Sequence, residues 1–217
     1  MPDARLAAAA AAVAAAVLAP AASAAGVACH LVVDPKGDQS HGTDLVPSSV
    51  YVSPDLDVVG ADVASNKRHL TAVVRTASLR EVDTDAPTGR AYAVLFTVNG
   101  HRYRLAATYG PDGYVGTASD EDKGAGLGGA SVVLDHAKRE VRISAPAATF
   151  GVAAGNVISG LAVTTGHHYG TNSPKVVPGA AGYGAYVGGA GLTDETDTAS
   201  STRTYVAGSR SCVTPGR

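Results

Sequence analysis

Residues 90–109, Arg90-Ala91-Tyr92-Ala93-Val94-Leu95-Phe96-Thr97-Val98-Asn99-Gly100-His101-Arg102-Tyr103-Arg104-Leu105-Ala106-Ala107-Thr108-Tyr109, decide the fold class. Larger apolar side chains recur at every second position on either side of Asn99-Gly100, the dipeptide that best tolerates the two positive φ angles of a type I′ turn. A two-residue loop fixes the register, so Val98 faces His101, Phe96 faces Tyr103, Val94 faces Leu105 and Tyr92 faces Ala107. Those pairs make one apolar face, and Thr97 with Arg102 and Leu95 with Arg104 make the other.

The same alternation continues outward. Val132-Val133-Leu134 and Val141-Arg142-Ile143 flank the polar stretch 136–139, which places Leu134 opposite Val141 and Val132 opposite Ile143. Residues 56–64 pair with 70–79 across 65–68, and a shift of the inward set predicts a β-bulge near Val59-Gly60. Further strands are expected at 28–33, 114–117, 157–165 and 202–206. No window carries a long amphipathic helix, and at most 147–153 forms a turn or two. The expected fold is all-β with little helix, a two-sheet antiparallel β-sandwich of immunoglobulin-like or jelly-roll-like kind.

The N-terminus reads as an export signal. Arg5 precedes an apolar run at 6–18, and Pro20 leads into Ala22-Ser23-Ala24, so residues 1–24 are expected to be a signal peptide cut after Ala24. Residues 25–217, about 190 in all, suit a single β-sandwich domain. A formal net charge of −2, with both signs spread along the chain, gives no basic face for nucleic acid. The expected location is secreted and extracellular, with no transmembrane span after signal cleavage.

Cys29 and Cys212 are the only cysteines, and in an oxidising compartment such a pair is expected to form a structural disulfide. A redox-active pair would need a low-pKa thiolate from a CxxC or a helix N-terminus, and the sequence shows neither. Lipid anchoring through Cys29 is the minor alternative.

Several motifs bear on chemistry. Gly124, Gly126 and Gly129 satisfy GxGxxG, but Asp120-Glu121-Asp122 precedes them and a strand follows, so they read as a β–β connection. Asp34, Asp38, Asp44, Asp55 and Asp57 cluster in the first third of the chain, and hard calcium ions favour several such oxygens on a turn-rich loop. Asp34, Asp38, Asp55 and Asp57 are the metal-site residues expected from this reading, with calcium as the cofactor; turn capping by Asp is the alternative. His167-His168 lie where the long Gly- and Tyr-rich loop 166–191 is expected and read as solvated. No catalytic residue is assigned.

Asp34-Pro35-Lys36-Gly37-Asp38, Pro54-Asp55-Leu56-Asp57-Val58-Val59-Gly60-Ala61-Asp62-Val63 and His69-Leu70-Thr71-Ala72-Val73-Val74-Arg75 resemble the opening of secreted actinobacterial DOMON-like β-sandwiches, which are similar to the family 9 carbohydrate-binding module. Pro146 with Phe150-Gly151 and Gly155-Asn156-Val157-Ile158, and the ending at Ser211-Cys212-Val213, fit the same resemblance. It implies a ligand-binding β-sandwich. Sugar-binding members stack saccharide on Trp, which this chain lacks, and haem-binding members use Met and His, whereas Met1 is the only Met here. Tyr169, Tyr183 and Tyr186 are the residues left to stack on a sugar ring.

The expected function is a secreted, non-catalytic binding or cell-surface-associated module, with polysaccharide, cell wall or another exported protein as partner. The alternatives are a small exported hydrolase with a loop-assembled site and an accessory domain without a small ligand.

Overall fold

The computed structural model describes residues 27–39, 53–81, 90–110, 113–169 and 192–216. The strands are β1 (Val32–Val33), β2 (Val58–Ser65), β3 (His69–Thr76), β4 (Arg90–Val98), β5 (His101–Gly110), β6 (Gly113–Asp120), β7 (Ala125–Asp135), β8 (Glu140–Pro146), β9 (Val157–Tyr169), β10 (Leu192–Ser201) and β11 (Tyr205–Val206). A single 3-10 turn, Ala147–Phe150, stands between β8 and β9. The architecture is nearly all-β: one curled, antiparallel hydrogen-bonded path in the order β1-β2-β3-β8-β7-β6-β5-β4-β9-β10, with β11 beside β9.

The turn chemistry is carried through into the structure. Asn99 and Gly100 have φ of 52° and 79°, and β4 pairs with β5 in the register that a two-residue loop imposes, Val98 opposite His101 through Tyr92 opposite Ala107. Leu134 lies opposite Val141 and Val132 opposite Ile143. The β2–β3 register slips between Val58 and Gly60, which is the bulge expected there.

Two segments differ from the sequence expectation. The glycine-rich 126–129 run is strand rather than a flexible connection, and only residues 121–124 turn. β7 uses that run to serve two neighbours: residues 125–130 pair with β6, and residues 131–135 pair with β8. Glycine is required where the two strands crowd, because a Cβ on Gly116 would meet the Ala130 carbonyl oxygen at 2.2 Å. The second difference is at β9 and β10. β9 runs past residue 165 to Tyr169, and Leu192–Ser201 is a strand of its own, pairing Leu192 with Tyr169.

The curl brings the ends of the path together. β1 touches β10, and side chains tie β2 and the turn before it to the far strands: Val58 N–H donates to Asp197 Oδ2 at 2.7 Å, Ser65 N–H donates to the Tyr205 hydroxyl at 3.0 Å, and Thr165 Oγ1 donates to the Leu56 carbonyl. The enclosed core includes Leu56, Leu70, Tyr92, Val94, Phe96, Leu105, Ile143, Phe150, Ile158 and Leu161. Phe96, Phe150 and Tyr103 interlock there, Phe150 meeting the other two edge-on with centroids 5.2 and 5.4 Å apart. Burying this much apolar side-chain area is the main stabilising term.

Cys29 and Cys212 form a disulfide, with Cα atoms 5.4 Å apart across 183 residues. A β-bridge between Ala28 and Ser211 lies beside it, and Ala28 N–H donates to the Arg210 carbonyl at 2.9 Å. Disulfides belong to oxidising compartments. Among the described residues no helix is long and apolar enough to cross a membrane.

Candidate functional site

Three carboxylates from two separated places in the chain converge where the curled sheet closes. Asp34 leaves β1, Asp38 follows a turn at Gly37, and Asp197 stands in β10, each offering a carboxylate oxygen within 4.8 Å of the others. Asp57 stands immediately before β2 and organises the loop: both its oxygens accept the Gly37 N–H at 3.0 Å. Gly37 has a φ of 85°, a conformation that disfavours a side chain. Asp38 is thereby presented next to Asp34. Asp197 is fixed from its own strand, accepting from Val58 N–H and, through Oδ1, from Thr198 N–H at 2.8 Å.

The electrostatics follow from like charges sharing a half-buried corner. Burial, and then the neighbouring Asp197, Asp38 and Asp57 carboxylates, push the Asp34 carboxyl up to about 6. Asp197 is also raised, first by burial, against the backbone amides of Val58 and Thr198 that favour its ionised form. Two acceptor atoms in this region, Asp34 Oδ2 and Gln39 Oε1, are enclosed without a hydrogen bond among the described residues. An enclosed carboxylate oxygen without a donor, beside two further carboxylates, suits a hard cation, which takes carboxylate and carbonyl oxygens together.

Of the residues singled out in the sequence, Asp34, Asp38 and Asp57 come together, and Asp197 joins them. Asp55 does not. Its Oδ2 is held by Arg80 Nε and by Arg90 Nη2, each at 2.7 Å, inside the core margin. Asp197 was missed because the run Asp194-Glu195-Thr196-Asp197 has no apolar alternation to mark it as strand. Its one signal was acidity close to the predicted strand at 202–206. Tyr169 is the last residue of β9, opposite Leu192. Tyr183, Tyr186 and Asp44 lie outside the described residues. His167 and His168 are β9 positions, registered opposite Asp194 and Thr193 rather than on a loop.

The raised Asp34 carboxyl gives a pH signature. Its folded value of about 6 lies above the ordinary 3.8, so the folded state holds this proton more tightly than the unfolded chain. The associated stability is complete below about pH 4 and is lost as pH rises through about 6. In EDTA, Asp34→Asn is therefore expected to melt at the parent temperature near pH 4 and above it at pH 7–8. Melting curves across that range check this; a difference independent of pH refutes the assignment.

No protein-family model, curated protein or solved structure matches the chain, and the acidic corner therefore stands on its own geometry.

Proposed function

We propose that the chain is an exported, non-catalytic binding module for polysaccharide or cell-wall material, with calcium held at its acidic corner. In this reading residues 1–24 are removed as a signal peptide, and residues 25–217 form one β-sandwich domain, its two layers made by a single sheet that turns over at β7. The observation that carries the proposal is the convergence of the Asp34, Asp38 and Asp197 carboxylates, with Asp57 shaping the loop that presents Asp38. Hydrolysis by paired carboxylates would call for a different environment for each, one acid and one base. Here burial and mutual repulsion raise both Asp34 and Asp197 in the same direction. Calcium relieves that repulsion and supplies the missing positive charge, and extracellular modules bind it at roughly 0.1–1 mM. The resemblance to DOMON-like and carbohydrate-binding modules supports a glycan or wall polymer as the ligand, and the disulfide suits export.

Two measurements test this reading. Calcium at about 10 mM, roughly 10–100 times that dissociation constant, is expected to raise the melting temperature of the EDTA-treated protein by about 3–10 °C. Asp38→Asn and Asp197→Asn should each abolish most of that rise. In a pull-down, the protein should be retained on purified cell wall or insoluble polysaccharide. A melting temperature indifferent to calcium removes the metal, and failure to sediment with any of these polymers leaves an accessory domain as the better description.

A further inference from the structure

The far end of β2 carries the opposite charge. Roughly 30 Å from Asp57, nine residues along an extended strand, the β2–β3 turn opens into a depression of about 470 Å³. It is lined by Asn66, Lys67, Arg68, His69, Pro215 and Gly216, with no acidic side chain among them. Lys67 and Arg68 are exposed and form no ion pair among the described residues, and His69 Nδ1 has no hydrogen-bond partner. Lys67, Arg68 and His69 therefore line one concavity with no carboxylate among its described lining residues.

The backbone beneath them is held in place. Asn66 Oδ1 accepts the N–H groups of Arg68 and His69, each at 2.8 Å, and Asn66 N–H donates to the His69 carbonyl at 2.9 Å. The opposite wall is anchored to the same residue, because Asn66 Nδ2 donates to the Gly216 carbonyl at 3.2 Å while Gly216 N–H donates to Thr71 Oγ1 at 2.8 Å. The Arg68 carbonyl accepts Ala147 N–H at 2.8 Å, which fixes the turn against the 3-10 segment. A turn fastened on three sides loses little further freedom when a ligand arrives.

We propose that this depression is an oxyanion site for a phosphate group, with Lys67 and Arg68 as the ligating cations and His69 at its wall. Arg68 offers a planar fork that matches two phosphate oxygens, and Lys67 contributes a compact point charge. The chemistry is shared by free phosphate and by the phosphodiester of an anionic polymer. The site is separate from the acidic corner, and its occupancy does not require calcium or cell-wall retention.

The test is a titration of ¹⁵N-labelled protein at low ionic strength with inorganic phosphate, with glycerophosphoglycerol as a phosphodiester, and with sodium chloride at matched ionic strength. Saturable amide shifts confined to residues 66–69 and Gly216 are expected with at least one phosphate probe, and none with chloride. The double variant Lys67→Ala, Arg68→Ala should weaken binding about tenfold or more, since hydrogen bonds to charged groups are the strong ones. Its melting temperature should match the parent, because both side chains are exposed. Tighter binding of the diester identifies a polymer as the source, and tighter binding of inorganic phosphate identifies the free anion. Equal shifts in chloride, no saturable shift with either probe, or undiminished binding by the double variant overturns the site. Each of those results is read without reference to cell-wall retention, so the two proposals fail separately.

Discussion

Asp55→Ala is expected to destabilise the protein by about 3–5 kcal/mol, the cost of leaving a buried charge without its partner. Asp55 is fully buried and the side chain of Arg90 is 2% exposed, so water cannot replace the lost carboxylate. The carboxylate also gathers the segment around it. Arg80 donates to Asp55 from Nε at 2.7 Å and from its backbone N–H at 3.2 Å, and Arg80 Nη2 reaches Ser53 Oγ at 3.1 Å. Arg90 Nη1 donates to the Arg80 carbonyl at 3.3 Å, and the Tyr92 hydroxyl donates to the Asp55 carbonyl at 3.1 Å. One residue thus joins the chain before β2, the chain after β3 and the start of β4. Burial also pushes the Tyr92 hydroxyl well above its ordinary value, so it stays a neutral donor. The check is chemical denaturation of Asp55→Ala, of Arg90→Met and of the double variant. The double variant is expected to be clearly less destabilised than the sum of the two single variants, because removing both charges removes the orphan. A loss below about 1 kcal/mol for Asp55→Ala, or simple additivity, would show that the pair does not hold these strands together.

The same residue marks the limit of what the sequence discloses. Asp55 and Asp57 stand two positions apart in one acidic, turn-rich stretch, and nothing local distinguishes them. Their fates are decided by partners distant along the chain: arginines 25 and 35 residues away for Asp55, and Gly37 for Asp57. Asp197 joins Asp34 and Asp38 only because the sheet closes on itself, a fact with no signature in the acidic stretch itself. Strand pairing over short loops was legible for the opposite reason. In β4–β5 the turn residues, the alternation and the register are all encoded within twenty residues, and the β2–β3 bulge showed as a phase change in the apolar pattern. β10 escaped because its inward positions carry Asp197 and Ala199 rather than large apolar groups. The first half of β7 escaped because glycines bend the sheet there, and glycine ordinarily signals a loop.

Removing the Cys29–Cys212 bond, by Cys29→Ser with Cys212→Ser, is expected to cost about 3–5 kcal/mol and about 10–15 °C of melting temperature. The bond closes a loop with a sequence separation of 183, and the chain-entropy relation assigns about 5 kcal/mol to a loop of that length. The upper figure is reduced where the unfolded chain keeps some residual order. Contacts that do not involve the sulfur atoms flank the bond: Ala28 lies opposite Ser211, and Val213 packs with Ala64 and Val73. If the bond acts mainly on the unfolded ensemble, the variant should unfold to a more expanded chain, so its denaturant m-value should rise as its midpoint falls. If it acts instead by pinning the native termini, the m-value should stay constant, and the amides of Ala28 and Cys212, which donate to Arg210 and Ala28 carbonyls at 2.9 and 3.2 Å, should lose exchange protection ahead of the core. A variant that melts within about 2 °C of the parent would mean that the side-chain ties from β2 to β9, β10 and β11 close the sheet unaided. That outcome would transfer the stapling role from the sulfur atoms to side chains that bond across the closure, among them Asp197, Thr165 and Tyr205.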